Sequence, residues 1–88
     1  MDELFLVSRE DIIELDLHDM QVLEAELELD RTIQTATKNI KAIVAIHGYR
    51  KGEAILNMIK FQYRNKRVIK KVPGSNRGIT ILLLDTYK

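Results

Sequence analysis

An aspartate and a histidine are the first pair of side chains in this sequence whose types and spacing suit proton-transfer chemistry. Asp16 and His18 lie two positions apart in a stretch that alternates apolar and polar residues. On a strand both side chains would therefore point to the same face. A carboxylate beside an imidazole can fix its tautomer and raise its basicity, as general acid–base catalysis requires. A structural pair that caps the strand end has the same pattern, so both readings stay open for this pair alone.

A second histidine opens a short glycine-containing segment. His47 begins the run His-Gly-Tyr-Arg-Lys-Gly. The glycines Gly48 and Gly52 would let backbone N–H groups approach a ligand closely, and a helix beginning there would direct its N-terminus at an anion. Arg50 and Lys51 add positive charge suited to a phosphate. The structural alternative is a tight turn with basic residues that serve solubility. The two clusters together favour a site that handles phosphate.

The elements that must position these residues follow from the spacing of the apolar side chains. Alternation over 12–18 predicts a half-buried strand, and the almost wholly apolar run 40–47 predicts a central strand. A stripe of apolar residues beginning at Val22 predicts an amphipathic helix, with Asp19 or Gln21 near its N-cap. The predicted order is a strand at 12–18, a helix at 22 to about 38, a strand at 40–47, a helix at about 53–64, and strands at 68–72 and 78–84 joined by a turn at 73–77.

This βαβαββ order predicts an α/β fold of the two-layer α+β sandwich type. Right-handed crossovers place both helices on one face of a four-stranded mixed sheet, with the last strand antiparallel in a slot beside the second. The first two strands run parallel, so His18 and His47 would end at the same edge. Ligands bind at that carboxyl edge in open α/β sheets. Residues 1–10 are predicted to be a leader, and residues 11–88 the domain.

The composition excludes several classes of site. Eighty-eight residues with 45% hydrophobic and 31% charged side chains fit one small globular domain. The absence of cysteine excludes disulfides, thiolate zinc sites and a cysteine nucleophile. No apolar run approaches the roughly 20 residues of a membrane span, and the acidic N-terminus lacks the basic region of a signal peptide. We therefore expect a cytoplasmic protein with no membrane partner.

The charges are separated along the chain. Residues 1–35 carry eleven acidic and two basic side chains, whereas residues 36–88 carry twelve basic and two acidic ones. A basic flank attracts polyanions, although an ordinary solvated face is the alternative. The predicted contacts to a nucleic-acid backbone outside the 47–52 segment are Lys60, Arg64, Lys66, Arg67, Lys70, Lys71 and Arg77. Tyr49 and Tyr63 are candidates for stacking on bases, or simply for packing.

Two of these segments resemble the motifs of the Smr (small MutS-related) domain family. Leu15-Asp16-Leu17-His18-Asp19-Met20 resembles its LDLHG-M motif, His47-Gly48-Tyr49-Arg50-Lys51-Gly52 resembles HGxGxG, and Gly78-Ile79-Thr80-Ile81 resembles the final G-x-T strand. The resemblance covers about residues 12–85. It implies a βαβαββ fold like the C-terminal domain of bacterial translation initiation factor three. It also implies nucleic-acid binding, often with endonuclease activity on DNA or RNA and in some members with action at ribosomes.

The family's functional positions correspond to Asp16, His18, His47 and Gly48. The chain departs from the motifs at two places, because Asp19 stands where the family usually has glycine and Arg50 replaces the middle glycine of HGxGxG. Asp19 would hinder the approach of a phosphate unless it turns away into the helix cap.

The resulting prediction is a nucleic-acid-binding domain that cleaves phosphodiesters, with RNA somewhat preferred over DNA. One histidine would act as general base and the other would protonate the leaving oxygen, while Asp16 orients His18. Gly48, Arg50 and Lys51 would stabilise the phosphorane charge. No cofactor is required, although a divalent metal on Asp16 and the histidines is an alternative mechanism.

The alternative functions are nucleic-acid binding without cleavage and docking on a protein or a ribosome. Docking would use the acidic first helix, where Leu23 and Leu27 lie off the apolar stripe. The oligomeric state does not follow from the sequence.

Overall fold

The computed structural model describes residues 11–50 and 52–85. The predicted leader at 1–10 and the predicted phosphate ligand Lys51 lie outside the described residues. The elements are β1 (Ile12–Asp16), α1 (Val22–Thr35), β2 (Ala42–Ile46), α2 (Ala54–Asn57) continued by a π-helical segment (Met58–Gln62), β3 (Val68–Pro73) and β4 (Ile79–Leu84). None of the helices in this part of the chain has the length and apolar character to cross a membrane.

The four strands form one mixed sheet in the order β1-β2-β4-β3. β1 and β2 run parallel, and β4 is antiparallel to both β2 and β3. The predicted α+β topology, with the last strand inserted beside the second, is confirmed. The parallel register pairs Asp16 with Ile46, so β1 and β2 end side by side.

The core lies between the sheet and the helices. Ala25, Leu29 and Ile33 form the buried stripe of α1, which is the helical periodicity expected of an amphipathic helix. Leu17 and Ile43 are fully buried on the facing side of the sheet. The other buried members of this cluster are Ala45, Ile55, Met58, Ile59, Tyr63, Leu82 and Leu84. Helix α1 is thereby fixed with its N-terminus at the end of the sheet where β1 stops.

Helix α1 is shorter than its predicted span. It begins after Gln21, whose backbone N–H donates to the Glu24 carboxylate at 3.2 Å, so Gln21 and not Asp19 is the N-cap. It ends at Thr35 because Ala36 adopts an extended conformation. The predicted extension to residue 38 is therefore wrong.

The second helix ends at Gln62 and closes with a π-turn. The Tyr63 backbone N–H donates to the carbonyl of Met58, five residues earlier, at 2.8 Å. Tyr63 is 1% exposed, and its hydroxyl donates to Asp30 at 2.6 Å. Tyr63 is therefore a core residue that ties the second helix to α1, and the prediction that it stacks on bases is wrong.

Candidate active site

A cleft of about 770 Å³ opens where β1 and β2 end. The chain after β1 continues the parallel pairing, since the Leu17 N–H donates to the Ile46 carbonyl at 2.7 Å. His18, His47, Gly48, Arg50 and Gly52 all line this cleft. The fold therefore brings the two histidine-containing motifs to one edge of the sheet.

His18 presents its imidazole to solvent. Its side chain is 56% exposed and forms an ion pair with Asp16 through Nδ1, and its backbone N–H donates to the same carboxylate at 3.2 Å. These two hydrogen bonds lower the pKa of the Asp16 carboxyl below its ordinary value, with the side-chain bond the larger cause. Because a carboxylate only accepts, Nδ1 carries a proton. In the neutral ring Nε2 therefore holds the lone pair that a general base needs.

Asp19 lies on the other side of the same ring. Its Oδ2 is 3.4 Å from Nε2 of His18, and its backbone has a φ of 69°. Asp19 thus does not turn away into the helix cap. A carboxylate therefore stands near each nitrogen of His18.

His47 has a different environment. It is 5% exposed, and its Nε2 and Nδ1 lie 2.8 Å from the Thr80 hydroxyl and the Gly48 carbonyl, respectively. The carbonyl can only accept, so Nδ1 donates, and the Thr80 hydroxyl donates to Nε2 of the neutral ring. The sequence predicted two imidazoles offered to a ligand, whereas only His18 presents its ring to solvent.

Thr80 is a site residue that the sequence reasoning did not single out. It is 6% exposed and sits on β4, 33 positions from His47. The sequence does contain an indication of its role, because Thr80 is the threonine of the G-x-T motif at 78–80. That motif by itself predicts only a strand. The motif matters here because it supplies the hydrogen-bond partner of a buried imidazole.

The His47-Gly48 turn is held against the start of β4. The N–H groups of both residues donate to the Gly78 carbonyl, at 2.9 and 3.0 Å. Gly48 has a φ of +72°, and a Cβ on Gly78 would lie 3.2 Å from the Gly48 Cα. Glycine suits the first position because of its backbone conformation and the second because of the close approach. The cleft floor is therefore a fixed backbone turn.

Arg77 and Tyr49 stand together at the rim. The guanidinium of Arg77 lies 5.2 Å from the centre of the Tyr49 ring and donates to Glu53 at 2.6 Å. Tyr49 is 37% exposed. Arg77 was predicted as a phosphate ligand, and the structure places it beside the cleft in a pair with an acidic side chain.

Arg67 was predicted as a nucleic-acid contact, but its guanidinium is directed into the fold. Its nitrogens donate to the backbone carbonyls of Ile33, Ala36, Thr37 and Asp85. The first three carbonyls lie in or just beyond the last turn of α1, where helical carbonyls lack intrahelical donors. Arg67 therefore closes the C-terminus of α1 and fastens it to the end of β4.

Lys71 is likewise turned toward the protein. Its Nζ donates to the carbonyls of Ile59 and Tyr63, both at 2.7 Å, at the end of the second helix. Burial lowers the pKa of Lys71, and the charge of Arg64 lowers it further. This cation satisfies helix carbonyls in the same way as Arg67.

The remaining predicted cations do not all gather at the cleft. Those with exposed side chains are Lys60, Arg64, Lys66 and Lys70. Arg64 and Lys66 border a second groove beside the C-terminal half of α1, whereas His18 precedes the N-terminus of that helix. Fourteen residues of α1 separate the two ends, or about 21 Å at 1.5 Å per residue. Arg64 and Lys66 therefore lie near the opposite end of α1 from the cleft.

A divalent metal on Asp16 and the histidines was the alternative mechanism predicted from the sequence. Across 11–50 and 52–85, no cluster of three or more His, Asp or Glu side chains has the arrangement of a metal site. Asp16 and Asp19 instead contact the ring of His18.

The structure is similar to the crystal structure of the Smr domain of Thermus thermophilus MutS2, with a TM-score of 0.73 and 27% sequence identity. The match covers 82% of this chain and 96% of that one. Neither the protein-family models nor the curated proteins gave a match.

Proposed function

This chain has the fold of an Smr domain, and on that premise we propose that it binds nucleic acid and cleaves a phosphodiester bond in the cleft, with RNA preferred. The observation that carries the proposal is His18, an exposed imidazole oriented by Asp16 in a cleft. The cleft also contains Arg50 and the backbone turn at Gly48. An oriented imidazole and a cation that line the same cleft suit proton transfer at a phosphodiester.

Binding would be mainly electrostatic. Arg64 and Lys66 border the second groove and not the cleft. Together with the exposed Lys60, they would contact backbone phosphates without reading sequence. Affinity for RNA should fall steeply with added salt, because each neutralised phosphate releases counterions. A single-stranded segment running along the domain would reach both Arg50 and these cations.

The reaction that suits this geometry is attack by the ribose 2′-hydroxyl. Nε2 of neutral His18 takes the 2′-hydroxyl proton as the 2′-oxygen bonds to phosphorus. The bond from phosphorus to the 5′-oxygen then breaks, the leaving oxygen takes a proton from water, and the resulting hydroxide takes the proton held by His18. The products are a 2′,3′-cyclic phosphate and a 5′-hydroxyl. Arg50 stabilises the charge that develops on the phosphorane.

His47 has a positioning role in this proposal. Both of its ring nitrogens are held by partners in the protein, and it fixes the Gly48 turn. We assign proton transfer to His18 alone, in place of the two-histidine mechanism expected from the sequence.

The test is cleavage of an RNA oligonucleotide against a matched one with 2′-deoxyribose throughout, each with and without EDTA. We expect cleavage of the RNA only, a cyclic phosphate product, and loss of activity in His18→Ala. Activity that persists in His18→Ala, or equal cleavage of both substrates, would exclude this mechanism. The matched control is Glu14→Gln, which removes an exposed charge on the same strand and should leave cleavage unchanged.

A second candidate function is docking on a protein, for example on a cytoplasmic ribosome. The observation that favours it is the outer face of α1, where Leu23 and Leu27 are 66% and 59% exposed among acidic side chains. The test is cosedimentation with ribosomes after Leu23→Ser and Leu27→Ser are combined. Docking predicts loss of cosedimentation with RNA binding unchanged, and unchanged cosedimentation would eliminate this surface.

A further inference from the structure

Asp19 holds an unusual backbone conformation at the mouth of the cleft. Its φ of 69° lies in the left-handed region, which costs a non-glycine residue energy, although aspartate tolerates it better than most. Its carboxylate does not cap α1, since Gln21 is the N-cap. The conformation instead directs Oδ2 to 3.4 Å from Nε2 of His18.

That position lies on the side of the ring from which a substrate must approach. Asp16 occupies the Nδ1 side of the His18 ring, so a substrate can reach the imidazole only at Nε2. A nucleotide whose ribose hydroxyl donates to Nε2 brings its phosphate close to the Asp19 carboxylate or must displace that carboxylate. Repulsion from this carboxylate grows with the charge of the incoming phosphate.

We propose that Asp19 is a specificity-determining residue that makes the cleft prefer an internal phosphodiester to a terminal phosphate. The proposal rests on the proposed function, because it concerns the same cleft. A phosphodiester carries one negative charge, whereas a phosphomonoester carries close to two above its second pKa of about 6. Asp19 therefore penalises a chain end, a mononucleotide or free phosphate more than it penalises an internal linkage.

The monoester carries about one more negative charge than the diester, and this difference sets the size of the preference for the diester. Two unit charges about 4 Å apart interact in a water-like medium with an energy equivalent to about a fivefold change in affinity. A lower effective dielectric in the cleft would increase that factor. We therefore expect Asp19 to weaken binding of the monoester, relative to the diester, by at least about fivefold.

The experiment measures both ligands against one reporter. Adenosine 5′-monophosphate and the dinucleoside monophosphate ApA are titrated at pH 8 and constant ionic strength, and the His18 ring signals are followed by NMR. The variant is Asp19→Asn, which keeps a side chain tolerant of positive φ and removes the charge. Asp19→Gly is a second variant that also relieves the backbone, and Glu14→Gln is the control.

The expected result is that the ratio of monoester to diester affinity rises about fivefold in Asp19→Asn and Asp19→Gly. In Glu14→Gln it should stay within about twofold of the wild-type ratio. If both ligands perturb His18 but the ratio is the same in all proteins, the role of Asp19 is refuted while the cleft remains a phosphate site. If neither ligand perturbs His18 in any protein, the cleft is not a phosphate site, and both proposals fail.

Discussion

Replacing Arg67 by methionine tests whether this cation serves the fold or a ligand. Methionine keeps an unbranched apolar stem and removes the guanidinium. The change deletes donors to the carbonyls of Ile33, Ala36, Thr37 and Asp85. Because these carbonyls belong to the end of α1 and the end of β4, the substitution loosens a contact between two elements without touching the cleft.

The expected cost in stability is about 3 kcal/mol. A hydrogen bond from a charged group contributes about 1.5–3 kcal/mol. However, all four carbonyls accept from the same guanidinium, and water can partly replace the guanidinium as their donor. The loss is therefore nearer to one or two such bonds than to four. For a domain of this size, 1 kcal/mol corresponds to roughly 4–8 °C in Tm. Arg67→Met should thus lower Tm by roughly 12–24 °C.

The assay is urea denaturation together with RNA binding measured at several salt concentrations. The matched control is Lys66→Met, which removes the adjacent exposed cation. That variant should change stability by no more than about 0.5 kcal/mol and should reduce the salt dependence of binding by about one counterion. Arg67→Met should lose stability. At temperatures where it is folded, the salt dependence of its RNA binding should equal that of the wild type. Unchanged stability with weakened RNA binding in Arg67→Met would refute the structural role.

Three further predictions concern the core and the cleft. Burial and the hydrogen bond to Asp30 raise the pKa of Tyr63, so the folded state keeps this proton above pH 10 while the unfolded state loses it. The free energy of unfolding should therefore decline from about pH 10 upward. A decline of equal size in Tyr63→Phe would contradict this. The pKa of Asp16 is lowered, so its stabilising contribution should be present at neutral pH and lost as pH falls through the lowered pKa. Denaturation of the wild type and Asp16→Asn at several pH values should show that their difference in the free energy of unfolding vanishes in acid. Gly48→Ala should destabilise the domain by about 1 kcal/mol because of the φ of +72°, and a neutral effect on Tm would show that the turn relaxes.

The fold could be predicted from the sequence because local pattern and chain order agree. Alternation at Ile13, Leu15 and Leu17 marked the buried side of β1, and the apolar stripe of α1 marked its packing face. Right-handed crossovers then left few topologies. The same reasoning placed His18 and His47 at one edge, since parallel strands end together.

The environments of individual side chains could not be predicted in this way. His47 is buried because Thr80, far along the chain, supplies a partner for its ring. Strand periodicity says nothing about such a contact. Arg67 and Lys66 are neighbours of the same charge with opposite environments, and only the position of the end of α1 distinguishes them. The π-turn before Tyr63 was hidden for a similar reason, because the spacing of Ile55, Ile59 and Tyr63 fits an ordinary helix.

The most direct test of the assignment of proton transfer to His18 is chemical rescue by imidazole. RNA cleavage is measured in His18→Ala and His47→Ala with increasing imidazole in solution. The expected result is that imidazole restores activity to His18→Ala, since His18 is exposed, and does not restore it to His47→Ala, since His47 is buried and positions the turn. Rescue of His47→Ala, or full activity of His18→Ala without imidazole, would contradict the assignment.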